Sequence, residues 1–552
     1  MIDRRVDAVD PAVSTPVLLA AIATLLVVAG VSLVTLGSTG LMDPDEPRYA
    51  GPARTMLETG DFGIPRFNGE PRLVKPVLPY WLIAASSSVL GVDSLGARFP
   101  SWLAGVVLAF ATFCVARRRL GRRGGWVAVA FLVGSPIVIV LSRLSTPDAS
   151  LAAAVAVALA LVDPERAPSR ATSRWTPVAF WLALGIAFAI KGPVALLLAG
   201  SILGADAVAR RDPGIFRTLS SPVGILVFAA VAFPWYVYVL TRPELEAGGV
   251  FARETIGRYF GSSGEHTRPA YFYLPVFLLG FFPASWLACI SVAGPWRRDL
   301  VFPALWVGVP LVFFSLSPSK QPAYLLPVAP GVAVLAASLL ARGRTESADS
   351  ADSVESVVLR KSGLVNRASI IEVVLWIGLG VSALVFVRVE EPDWAVLALP
   401  ASGLAILAGL GVAVGRRLLR AWIGDAARFV AVAGFATHGL VFIAPVVESQ
   451  RSFVCVERVR SSLRPGDVIA QSWLEDPGFI YYSGRDTIRL DSAENIRDNL
   501  AGPRRFHCWL QTEDLDRHLP LLDPGFVVLE VGNDRCLLSN ARELLVRTES
   551  DE

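Results

Sequence analysis

The sequence predicts a mainly α, polytopic membrane protein of about thirteen transmembrane helices, with juxtamembrane helices on its outer face and a small C-terminal α/β domain. Three observations lead there. The 552-residue chain is 53% hydrophobic and 18% charged, with a mean hydropathy of +0.53, more apolar than a soluble protein of this length requires. Apolar runs of spanning length alternate with short Arg clusters such as "RRRLGRR" (117–123). Beyond residue 447 the texture changes to short runs, "DVIAQSW", "FIYYSG" and "GFVVLEVG", that read as strands between helical pieces such as "SAENIRDNLAG" and "ARELLVRTES".

The elements follow in order. "PVLLAAIATLLVVAGVSLVTLG" (16–37) is long enough to span and follows Arg4 and Arg5, which places residue 1 inside and "DPDEPRYAG" outside. It lacks the cleavage site and polar exit of a secretory signal, so it reads as a retained anchor. "PVLPYWLIAASSSVLG" (76–91) is short, starts with two prolines and carries three serines, the pattern of a helix lying on the membrane surface. Parity supports that choice. If 76–91 does not cross, then "RRRLGRR" falls inside, with Arg166, Arg170 and Arg174, Arg210, Arg211 and Arg217, Arg297 and Arg298, and the basic stretches 342–367 and 416–428. The domain reading is a transmembrane domain over 1–447, with a first outer loop at 38–98, and an extracytoplasmic α/β domain over 448–552. The chain is then a multi-pass protein of the cytoplasmic membrane.

A net charge of +3, with most Arg in short clusters beside apolar runs, excludes a nucleic-acid binder. The five cysteines show neither a CxxC pair nor metal-ligand spacing, although Cys508 and Cys536 have the option of pairing in an exported segment. Nearly every polar residue without an evident structural reason falls on the outer side: the first loop, "SRLSTPDAS" (142–150), "KGP" (191–193), 241–273 and "SPSKQPAY" (317–324). Group transfer from a lipid-linked substrate needs a carboxylate for the acceptor, cations for a phosphate leaving group and a cavity at the membrane surface. The first loop supplies Asp45 and Glu46, then Arg48, Arg72 and Lys75.

Over most of residues 40–340, "DPDEPRYAGPARTMLETGDFG", "FNGEPRLVKPVLPYWL", "STPDASLA", "KGPVALLL", "GEHTRPAYFYLPVF" and "FSLSPSKQPAYLLP" occur in that order. In these motifs the chain resembles the GT-C membrane glycosyltransferases that use polyprenyl-phosphate sugars, in the branch of the lipid A aminoarabinose transferase and the protein mannosyltransferases. The resemblance implies transfer of a sugar from a polyprenyl-phosphate donor to an envelope lipid, glycan or protein, with inversion. It makes Asp45, Glu46 and Asp148 the catalytic acids, and Lys75, Arg48 and Arg268 the donor-phosphate ligands. Tyr49, His266, Tyr324 and Lys320 become cavity residues. The aminoarabinose branch carries an acid before the Lys-Pro pair, where this chain has Val74, so no metal ligand set is assigned and a divalent cofactor is not expected.

Simpler readings stand beside these. Asp45 and Glu46 precede a first-turn proline and fit a helix N-cap, as does Asp148. Lys191 and Lys320 fit cations snorkelling to the interface. The alternative function is a transporter or flippase of lipid-linked substrates, which would place ionisable groups at the bilayer midplane.

Overall fold

A computed structural model describes residues 13–165, 175–257, 267–293, 297–342, 373–377, 395–417 and 421–438, and most of 463–541. His266, Glu265 and most of "ARELLVRTES" lie outside the described residues. The protein is mostly helical. Four helices among the described residues are long and apolar enough to cross a bilayer: Thr15–Val34 (α1), Ser94–Val133, Arg298–Leu316 and Pro322–Ala341. Two bent pairs, Pro222–Ala232 with Pro234–Leu240 and Ala270–Gly280 with Ala284–Ala293, raise the number to six. Shorter apolar helices such as Pro147–Leu161 and Trp175–Lys191 pack among them.

The first loop folds into two short helices, Pro47–Thr59 (α2) and Leu78–Leu90 (α3), joined by a hairpin. Pro47 opens α2 in the first-turn position, where its missing N–H costs nothing, and Gly60 closes it at φ 74°. At 13 residues α3 is about 20 Å long, well short of the roughly 30 Å hydrocarbon core. The hairpin pairs Arg66–Phe67 (β1) with Glu70–Pro71 (β2) across Asn68-Gly69, both at positive φ, the combination a two-residue turn favours. The helix Ser94–Val133 (α4) is two helices meeting at Gly121, whose φ of 70° reverses the chain inside the basic run 117–123.

Five strands build the tail sheet: Val468–Ser472 (β3), Ile488–Leu490 (β4), Phe506–Gln511 (β5), Val527–Glu530 (β6) and Arg535–Ser539 (β7), in the order β4-β3-β5-β7-β6. β3 pairs in parallel with β4 and β5, whereas β7 runs antiparallel to β5 and β6. Alternation sorts the side chains to two faces. Ala470, Phe506, Cys508, Leu510, Cys536 and Leu538 pack with Ile496 of the helix Ala493–Leu500, and Ile469, Trp509 and Leu537 pack with Phe479. Cys508 and Cys536 are buried thiols on paired strands.

"FIYYSG" is not a strand. Residues Pro477–Ser483 form a helix, because Asp476 caps it by accepting from the Phe479 N–H at 3.0 Å, Pro477 opens it and Gly484 ends it at φ 68°. That helix docks the tail onto the first loop. Arg54 donates to the Tyr481 carbonyl at 2.6 Å and lies over its ring, the Tyr482 hydroxyl accepts from the Leu41 N–H, and Asn68 exchanges hydrogen bonds with Thr487 at 2.6 and 3.0 Å.

Candidate functional site

A cavity of about 490 Å³ opens between the first loop and the helix bundle. Its polar wall comes from six separate stretches. α2 and the turn before it bring Asp45, Arg48 and Tyr49, and the segment after the hairpin brings Arg72, Val74 and Lys75. Asp148 stands in the first turn of Pro147–Leu161 (α6), and Lys191 ends Trp175–Lys191 (α7). Glu254, then Ser317, Ser319, Gln321 and Tyr324, complete it. The opposite wall is apolar, with Leu141, Leu151, Leu197, Phe313 and Phe314.

The charges are largely arranged in pairs. Lys75 Nζ lies 2.9 Å from Glu254 and donates to the Val74 carbonyl at 3.1 Å. Lys191 Nζ lies 2.5 Å from Asp148 and 5.1 Å from the centre of the Tyr324 ring, a cation–π contact. Asp148 is therefore not the N-cap of α6. Thr146 holds that position, and the carboxylate turns to Lys191. Lys191 itself is a cavity residue rather than a snorkelling one.

Asp45 is exposed in the cavity and makes no ion pair among the described residues. Nor do Arg48 and Arg72, whose Nε atoms are buried without a hydrogen-bond partner. Two unspent guanidinium donors beside one unspent carboxylate make a cradle for an anion next to a proton acceptor. Tyr49 stacks on Tyr80, ring centres 5.7 Å apart. Burial pushes its phenol well above the ordinary value; Tyr80, Asp148 and Asp45 add to that push and Arg72 opposes it, so Tyr49 is a hydrogen-bond donor at neutral pH.

Three sequence expectations come out differently. Glu46 is fully buried off the cavity, where its carboxylate accepts from Arg98 Nε at 2.9 Å and Nη2 at 2.7 Å, and from the Met42 and Ser145 N–H groups at 2.7 Å each. It marks the N-terminus of α2 without capping it, as its backbone is already helical. Arg268 is exposed and does not line the cavity; it contributes backbone instead, its N–H donating to the Pro318 carbonyl and its carbonyl accepting from Lys320. Lys320 is buried with its ammonium on the Arg268 and Ser317 carbonyls, so it shapes the 317–321 loop rather than the cavity floor. Arg72 lines the cavity and Arg268 does not, and Glu254 was missed because nothing in "FARETIG" marks it until Lys75 is brought against it.

Among the described residues the donor set does not fit a divalent metal. Val74 lines the wall with an isopropyl group, Asp148 and Glu254 are each held by an ammonium, and no group of three or more His, Cys, Asp or Glu side chains converges among the described residues.

Comparison with known proteins gives the family and the fold. Residues 74–238 match the family described as dolichyl-phosphate-mannose-protein mannosyltransferase. The undecaprenyl phosphate-α-4-amino-4-deoxy-L-arabinose arabinosyl transferase of Pseudomonas aeruginosa is 32% identical over 405 residues, 71% of this chain and 70% of that protein. A second such transferase, from Pseudomonas fluorescens, is 32% identical over 319 residues, 56% of this chain and 57% of its own length. The fold matches the crystal structure of ArnT from Cupriavidus metallidurans bound to undecaprenyl phosphate, with a TM-score of 0.76 over 95% of this chain and 98% of that one at 22% identity. The chain belongs to the GT-C membrane glycosyltransferases, in the family of the undecaprenyl phosphate-aminoarabinose arabinosyl transferases.

Proposed function

We propose that this glycosyltransferase moves one sugar from a polyprenyl-phosphate donor to an envelope lipid, glycan or protein, with the chemistry in the cavity that Asp45 faces. The observation that carries it is that Asp45 lines one cavity with the guanidinium groups of Arg48 and Arg72, each of which has an unpartnered Nε. The acceptor hydroxyl gives its proton to the Asp45 carboxylate while its oxygen bonds the anomeric carbon, and the carbon–oxygen bond to the phosphate breaks. Arg48, Arg72, Lys75 and Lys191 face the charge left on the departing polyprenyl phosphate, and the apolar wall suits the prenyl chain. Asp148 holds Lys191, and Glu254 holds Lys75, in place for that contact. A flippase would need no such proton acceptor, and the curated relatives are named as transferases. Purified protein in nanodiscs, given undecaprenyl-phosphate pentoses and hexoses with envelope extract, should release undecaprenyl phosphate. No release with any donor overturns the proposal.

The site faces the extracytoplasmic side in this reading, with about thirteen crossings and the 448–552 domain outside. The loops expected inside do gather together: Arg118 and Arg119 on Asp163, Arg119 on the Asp299 carbonyl, and Arg210 on Glu165 and the Arg298 carbonyl. Cysteine in place of exposed Arg122 should be labelled only from the cytoplasm. Labelling from outside alone would invert the topology and move the active site with it.

Arg72→Ala and Lys75→Ala should each raise the donor KM. A charge-assisted hydrogen bond to a phosphate is worth about 1.5–3 kcal/mol, or about tenfold or more. Lys191→Ala, also in the cavity, should match them within a few-fold. An unchanged donor KM in Arg72→Ala would remove that residue from the phosphate site. Turnover should also survive EDTA treatment followed by dialysis, since the described residues offer a metal no complete ligand set. Activity lost to chelation and restored by one divalent ion would overturn that expectation.

A further inference from the structure

Thr146 and Ser319 line the cavity that Asp45 faces, and the hydroxyl of each is buried without a hydrogen-bond partner. Ser319 is only 3% exposed. The unmatched hydroxyls of Ser142 and Ser145, by contrast, stand off the cavity. We propose that Thr146 and Ser319 read ring hydroxyls of the transferred sugar and so help to set which pentose or hexose the enzyme takes.

Thr146 holds the N-cap position of α6 with extended backbone, the geometry in which a threonine ordinarily accepts from an N–H of the first turn, yet its side chain makes no capping bond. Its backbone is engaged on both sides. The N–H donates to the Leu144 carbonyl at 2.7 Å, and the carbonyl accepts from the Ser101 hydroxyl at 3.2 Å. Ser319 is held as firmly: its carbonyl accepts from the Ser317 hydroxyl at 3.3 Å, its backbone bridges to Thr267, and the neighbouring Lys320 ammonium sits on the Arg268 and Ser317 carbonyls. Both residues are thus fixed through their backbones while their hydroxyls stay unused. A buried hydroxyl left unmatched at a cavity wall is costly unless something that enters completes it.

Their place in the cavity points to the sugar. Ser145, next to Thr146, donates its N–H at 2.7 Å to Glu46, next to Asp45, so one hydrogen bond ties the Thr146 segment to the segment that carries the proton acceptor. On the other side Lys191 meets both Asp148 and Tyr324, which joins the start of α6 to the 317–324 stretch that carries Ser319. In a single displacement the acceptor oxygen enters opposite the departing phosphate, so the sugar ring lies between Asp45 and the cations that hold the phosphate. The phosphate itself is better served elsewhere. Arg48, Arg72, Lys75 and Lys191 offer it charge-assisted hydrogen bonds, roughly twice as strong as neutral ones. A sugar hydroxyl both donates and accepts, as do those of Thr and Ser, and a wall built to bond it discriminates against an analogue that lacks it.

The inference rests on the transferase reading, but its test needs no turnover. Full-length protein in nanodiscs holds radiolabelled undecaprenyl phosphate, which is displaced either by unlabelled undecaprenyl phosphate or by undecaprenyl phosphates carrying arabinose, xylose, glucose, galactose or mannose. Thr146→Val keeps the side-chain shape and removes the hydroxyl. It should weaken binding of at least one sugared lipid about fivefold or more, and leave undecaprenyl phosphate and the apparent Tm unchanged. Thr146→Ser should restore the binding, and Ser319→Ala should show the same selective loss, which keeps the test open if the valine variant does not fold. Among monodeoxy forms of the affected sugar, one should be indifferent to Thr146→Val. An equal loss for bare and sugared lipids would place the hydroxyls on the phosphate, and a lowered Tm without a selective loss would make Thr146 an ordinary cap. Either result overturns the proposal, as does the absence of a selective loss in either variant or a loss that persists with every monodeoxy form. Failure of the wild type to release undecaprenyl phosphate from any donor would count against the transferase reading alone, because the binding comparison is read separately.

Discussion

Asp45→Asn should lower turnover at least about 10²-fold, the lower range for removing a positioned general base, while leaving donor KM and thermal stability near wild type. The amide keeps the shape of the side chain and loses its basicity. Stability should hold because Asp45 is exposed and makes no ion pair among the described residues, so no buried partner is orphaned. The contrast with Asp148→Asn is informative. That change leaves the Lys191 ammonium without its 2.5 Å counter-charge, so it should disturb donor binding and turnover together. Initial rates over a range of donor concentrations in nanodiscs separate the two. Near wild-type turnover in Asp45→Asn would remove it as the base and direct attention to the paired carboxylates.

What the sequence revealed follows the range of the interactions concerned. The helices 15–34 and 78–90 and the break in "RRRLGRR" depend on run length, prolines and a glycine within a few residues, and as elements all three are legible in one dimension. Family motifs placed Asp45, Arg48, Tyr49, Lys75, Asp148 and Tyr324 on one cavity. They did not show that Lys191 reaches Asp148 over 43 positions or that Lys75 meets Glu254 over 179, because such pairings are set by helix packing and leave no local periodicity. "FIYYSG" misled because a short apolar run suits a strand and a buried helix equally, and the cap at Asp476 that decides between them lies outside the run. Glu46 misled in another way. Adjacent acids look equivalent in a sequence, yet Asp45, in the turn before α2, lines the cavity, whereas Glu46, whose backbone is already helical, is buried against Arg98.

That divergence makes Glu46→Gln the second large effect, expected in stability before catalysis. Its carboxylate accepts four N–H donors, two from Arg98 and one each from Met42 and Ser145. A glutamine offers one acceptor oxygen and turns an NH₂ group toward donors, which leaves N–H groups unmatched and a buried guanidinium without its counter-charge. Breaking a buried pair from one side costs about 3–5 kcal/mol, so the apparent Tm in detergent should fall by several degrees. Arg98→Leu should fall further. Arg98 also donates to the Leu36 and Thr39 carbonyls, the Thr39 hydroxyl and the Gly40 carbonyl, and so closes the end of α1 over the loop that carries Asp45. Both variants should lose activity by releasing that loop, with part of the loss recovered on cooling. If Glu46→Gln keeps the wild-type Tm and yet loses turnover at every temperature, Glu46 acts in the chemistry and its burial against Arg98 is not what the loop depends on.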